Sequence, residues 1–166
     1  MFRSLLKLAH YGGLIGFVGG LASSLLLADF ADSAPPTVLA ALRFSIVALG
    51  ESLVIPALLL LLVSGTLLVI ARPQLVYSRW VWAKAAIGLA VAVVALAVVQ
   101  PAVTRAAAVA SEAALGAPAL GTLMQALSAE KIGAAINLAL AFVAIAVAIW
   151  RPRLGQSRRD PLDPES

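Results

Sequence analysis

FSIVALGESLVIPALLLLLVSGTLLVIA, residues 44–71, carries a single charge, Glu51. A helix rising 1.5 Å per residue crosses the ~30 Å hydrocarbon layer of a bilayer in about 20 apolar residues. This stretch exceeds that length. Its apolar residues are continuous, not alternating, which excludes a strand of a membrane barrel. The segment reads as a membrane-spanning helix. Pro56 is predicted to kink it, and Ser64, Gly65 and Thr66 supply small residues and hydroxyls beyond the kink.

Three further segments have the same character: about Leu5–Leu27, Trp80–Val99 and Ile132–Trp150. The predicted fold is all-α, an integral membrane four-helix bundle over residues 1–152. A charged, proline-containing tail at 153–166 has the composition of a disordered segment. The whole chain agrees with lipid as its solvent. Of its 166 residues 62 % are hydrophobic and 12 % charged, against roughly half and a quarter in soluble domains. The start, MFRSLLKLAH, resembles a signal peptide, but the apolar run continues without a small-residue cleavage site. It reads as a retained first helix.

Lys and Arg set the expected orientation. Arg3, Lys7, Arg72, Arg79, Lys84, Arg151, Arg153, Arg158 and Arg159 fall on one side, and Arg43, Arg105 and Lys131 on the other. Positive charge accumulates on the cytoplasmic face, so both termini are expected there, in a bacterial-type inner membrane. The net charge of +4 then reflects lipid and topology, and no nucleic-acid partner is expected.

The connections differ in kind. ADFADSAPPT is a short polar turn, and Pro73 stops the second helix in ARPQLVYSRW. The third connection, Gln100 to Lys131, is longer and alanine-rich, with GAPALG as its turn. It suggests helices projecting past the membrane or short interfacial helices.

Several residues are candidates for chemistry. His10 is the only histidine and lies inside the first helix. An ionisable group there reads either as an interfacial residue hydrogen-bonded to a neighbour or as a haem ligand or proton carrier. Gly12, Gly16, Gly20 and Ser24 recur every four residues, the pattern that lets helices approach closely in lipid. They suit internal packing, a homo-oligomer or a membrane partner subunit. Gly13 and Phe17 share a face with His10, where a flat ligand could lie.

Lys84 is expected at a similar depth to His10. It reads either as a lysine snorkelling to the headgroups or as a charge held for a carboxylate, such as a haem propionate, or an amine ligand. Glu51 is expected to pair with Arg43, or with Lys131 or Asn137, and proton uptake is its other reading. Asn137 is expected to hydrogen-bond across the bundle.

Absences narrow the field. With no cysteine and one histidine, a zinc site of ordinary ligand number is excluded. Two methionines, Met1 and Met124, do not make a copper path.

LKLAHYGGLIGFVGG, VIPALLLLLVSGTLL, RWVWAKAAIGL and the closing IWRP together resemble the CopD/HemJ-like superfamily of small membrane proteins. The likeness covers about Leu5 to Pro152 and includes Lys7, His10, Pro56, Ala57, Gly65, Trp80, Trp82 and Lys84. It implies b haem, with iron on His10 and Lys84 completing the site, and electron transfer or porphyrin redox chemistry. Two features of the porphyrinogen oxidases in that group are missing. LLLADFAD replaces an arginine and aromatic cluster, and no second histidine follows in the third helix. The sequence thus carries two readings: a haem-binding redox protein, or a non-enzymatic membrane subunit that anchors or scaffolds a larger complex.

Overall fold

The computed structural model describes residues 2–71, 79–115 and 120–150, and its regular elements are all helical. They are α1 (Phe2–Asp32), α2 (Pro36–Leu49), α3 (Ile55–Ile70), α4 (Arg79–Val94), α5 (Gln100–Ala114) and α6 (Leu120–Trp150). A π-turn, Gly50–Val54, joins α2 to α3 without a break, and another, Ala95–Val99, joins α4 to α5. The result is four rods, each long and apolar enough to cross a membrane.

The rods overrun the expected boundaries. α1 continues to Asp32, so only a three-residue link, 33–35, remains of the predicted polar turn. Pro36 then opens α2 at a position where the missing N–H has no helical partner to lose. The third rod runs to Ala114 and α6 begins at Leu120, so most of the expected third connection is helix. Residues 116–119 of GAPALG, Pro73 and the tail lie outside the described residues.

Both π-turns have the same cause. Proline offers no N–H, and its ring presses on the carbonyl four residues back. In each rod a proline stands second after the π-turn: Pro56 follows Ile55, and Pro101 follows Gln100. Widening the turn carries the threatened carbonyl away from the ring. The Ile55 N–H donates to the Gly50 carbonyl and the Gln100 N–H to the Ala95 carbonyl, five residues back in each case. The kink expected at Pro56 is therefore a wide turn. Its counterpart at Pro101 sits in the segment that reads as a connection.

Glycine sets the closest contact. A Cβ at Gly13 would lie 3.0 Å from both the Ala57 carbonyl oxygen and the Leu61 nitrogen of α3. At Gly16 it would lie 3.1 Å from the Ala57 Cβ, and at Gly20 2.7 Å from Val54 Cγ2. Without side chains here, α1 and α3 approach backbone to backbone. Gly12 and Gly19 meet nothing and face outward.

α2 packs along α5, α5 and α4 pack on α6, and neither α1 nor α3 comes comparably near α4. The second and third rods are thus close in backbone in the half holding α2 and α5, and beyond the π-turns they meet through side chains, Leu58 of α3 and Val91 of α4 sharing one core cluster. One core cluster is built on Phe17, Leu21, Leu58 and Val91, and the other on Ala28, Ile46, Val99 and Val103. Large apolar residues such as Ile15, Phe30, Leu89 and Ile149 are exposed on the outside of the bundle.

Candidate functional site

Two polar clusters interrupt the apolar interior, one at each end. The first is His10. Its Nδ1 lies 3.2 Å from the Leu61 carbonyl oxygen and 3.1 Å from Ser64 Oγ, both on α3. Ser64 donates its own proton to the Leu60 carbonyl at 2.6 Å. A carbonyl can only accept, so Nδ1 carries a ring proton and donates it, and in the neutral imidazole Nε2 is then the unprotonated nitrogen. Gly65 makes room for the ring: a Cβ there would stand 3.3 Å from His10 Cε1. Lys84 of α4 is near enough for its charge to act on the imidazole.

A b haem on His10 needs an open wall beside the ring for the porphyrin. Gly13 and Phe17 were the expected wall. Gly13 is closed by the α3 backbone, and Phe17 is 1 % exposed inside the core. An unprotonated Nε2 would suit one axial position, but Gly13 and Phe17 do not offer a porphyrin the wall expected of them. The partner surface expected on Gly12, Gly16 and Gly20 divides in the same way, since Gly16 and Gly20 face α3 and the Val54 turn of the same chain.

The second cluster lies where α1 ends and α2 begins. Arg43 is 1 % exposed. Its NH1 donates to Glu130 Oε2 at 2.6 Å, and its NH2 donates to Asp32 Oδ1 at 2.7 Å and to the Ala28 carbonyl at 3.4 Å. Lys131 donates to Asp32 Oδ2 at 2.6 Å and reaches Asp29 Oδ1 at 3.4 Å. Asp32 thus serves two cations, and Arg43 ties α1, α2 and α6 together. A charge removed from water this completely is tolerable only when paired with such geometry. Arg43 Nε nevertheless has no partner among the described residues.

This arrangement corrects three expectations. Arg43 pairs with Asp32 and Glu130, not with Glu51. Gly50 faces inward against Gln100, and the next residue turns about 100° away, which leaves Glu51 exposed. Lys131 likewise pairs with the aspartates of α1. Asn137 is completely buried, yet neither its Oδ1 nor its Nδ2 has a partner among the described residues, so no bond across the bundle is seen among them.

Below Arg43 lies a cavity of about 30 Å³ bounded by both π-turns. Ser24, Gly50, Val54, Val99, Gln100 and Glu130 contribute to its wall. Gln100 Oε1 would stand 3.0 Å from a Cβ at Gly50, so this glycine lets the amide cross between the rods. Sequence reasoning missed the Asp32–Arg43–Glu130 set because Asp32 reads as turn and Glu130 as connection. The available signal was opposite charge gathered at one end of the bundle.

Among the described residues no group of three or more His, Asp or Glu side chains could hold a metal ion. Comparison with protein families, with curated proteins and with solved structures finds no match to this chain.

Proposed function

We propose that this chain is a non-enzymatic membrane subunit, anchoring or scaffolding a larger assembly in a bacterial-type inner membrane with both termini in the cytoplasm. The observation that carries this reading is the use of His10. The one imidazole in the chain joins α1 to α3 through Leu61 and Ser64. The other polar groups follow suit. Arg43 clamps three helices, and the hydroxyls of Ser24, Ser45, Ser52, Ser64 and Thr66 donate to carbonyls of their own helices. His10 and Arg43 are thus both engaged in holding helices together. Cytoplasmic termini are supported by the excess of Lys and Arg at the end where α1 starts.

The test is a dithionite-reduced minus air-oxidised visible spectrum of the detergent-purified chain, expressed with haem supplied. A scaffold shows no Soret absorbance, in the wild type or in His10→Ala. The variant should instead lose stability by about 1 kcal/mol, the scale of one helix-to-helix hydrogen bond in a membrane. A sharp α-band that disappears in His10→Ala would overturn the proposal in favour of the haem implied by the CopD/HemJ-like motifs.

A further inference from the structure

Three polar side chains line the cavity between the two π-turns: Ser24 of α1, Gln100 at the start of α5 and Glu130 of α6. Most of the remaining wall is apolar, with side chains such as Leu21 and Leu58. That part offers no hydrogen bond. What the three polar groups bond into this space depends on what the space holds.

Gln100 has the greatest need. A carboxamide carries two N–H donors and an oxygen with two lone pairs. The Gln100 backbone carbonyl accepts from Thr104, but its side-chain amide bonds no other group among the described residues. The amide oxygen stands 3.0 Å from where a Cβ at Gly50 would be, so the amide lies between the second and third rods. An amide drawn between helices without a partner is costly. Its two neighbours have capacity to spare. Glu130 Oε2 accepts from Arg43 at 2.6 Å, and an ionised carboxylate accepts about four bonds in all. Ser24 donates to the Gly20 carbonyl at 2.9 Å, and its oxygen can still accept.

Size selects the occupant. The cavity measures about 30 Å³, and a water molecule needs at least about 10–15 Å³ of such space. That admits one or two waters and no organic ligand. Internal water is retained where two to four polar groups converge, whereas wholly apolar cavities stay dry. A cation is disfavoured, because the Arg43 guanidinium already stands against Glu130.

We infer that this cavity is an internal water site, in which one or two molecules bridge the Gln100 amide, the Glu130 carboxylate and the Ser24 hydroxyl. The water joins α1, α5 and α6 at the level where both proline-bearing rods widen. It also gives Glu130 a neutral partner beside its arginine.

The experiment is water-edited NMR of the full chain in lipid bilayers, with nitrogen-15 glutamine. The Gln100 side-chain signal is identified by its loss in Gln100→Leu. Magnetisation should pass from water to this amide in the wild type. Ala134→Leu fills the cavity from the α6 wall and should abolish the transfer. No transfer in the wild type overturns the inference. So does transfer that survives Ala134→Leu, which would assign the amide to bulk solvent. Because Ala134→Leu can misfold, thermal melts of Gln100→Leu give an independent reading. Replacing an amide that water satisfies strands that water and takes a partner from it, so the melting temperature should fall. An amide in a dry space gains by becoming apolar. An unchanged or raised melting temperature therefore overturns the inference as well.

Discussion

Removing Glu130 would leave the Arg43 guanidinium buried with its shortest partner gone. Breaking a buried pair from one side costs about 3–5 kcal/mol, whereas replacing both partners with apolar residues of similar volume is often neutral. Glu130→Ala should therefore lower stability in a denaturant titration in micelles by about that amount, and Arg43→Met with Glu130→Leu should recover most of it. Asp32→Asn should cost less, because its carboxylate is 34 % exposed and water screens what is lost. The glycines give a second contrast. Gly13→Leu forces α1 off the α3 backbone, while Gly12→Leu and Gly19→Leu enter open space, so only the first should destabilise in the same assay. At this scale the sequence was informative about which residues matter and silent about their partners. His10, Arg43 and the glycines stand out because ionisable and bare positions are unusual inside an apolar run. That Arg43 meets Asp32 depends on α1 lasting one turn longer than its apolar run, which polarity alone hides.

The rods themselves were legible because twenty apolar residues in lipid have one economical backbone solution, a helix that satisfies its own hydrogen bonds. The π-turns were not, since hydropathy counts residues without counting residues per turn. Pro56 announced a disturbance but not its form. A π-turn amounts to one extra residue inserted in an α-helix, and the proline holds it open. Deleting one residue from Ala95–Val99 together with Pro101→Ala should therefore restore a plain α-helix and preserve the folded yield. The same deletion with Pro101 retained drives its ring into the carbonyl four residues back, at a cost of about 3 kcal/mol. Thermal melts of the two variants separate these outcomes. If the proline-bearing deletion is as stable as its partner, proline is not what keeps the turn wide.

For the molecule as a whole, orientation is the first property to measure, and the absence of cysteine makes it simple. Single cysteines at Arg79 and Glu112, at opposite ends of the third rod, should react with a membrane-impermeant thiol reagent from opposite sides of intact cells. Positive-inside bias predicts that Glu112→Cys is the one labelled from outside. The buried arginine has a further consequence, in time. Asp32 precedes Arg43 by 11 residues, but Glu130 follows it by 87. At about 5–20 residues per second, the ribosome delivers the second carboxylate roughly 4–17 s after the arginine. During that interval the nascent hairpin of α1 and α2 holds a cation that only one acid answers. A chain stopped before α6 would stay in that condition permanently, so truncated products should be conspicuous to membrane proteases while full-length chains escape them.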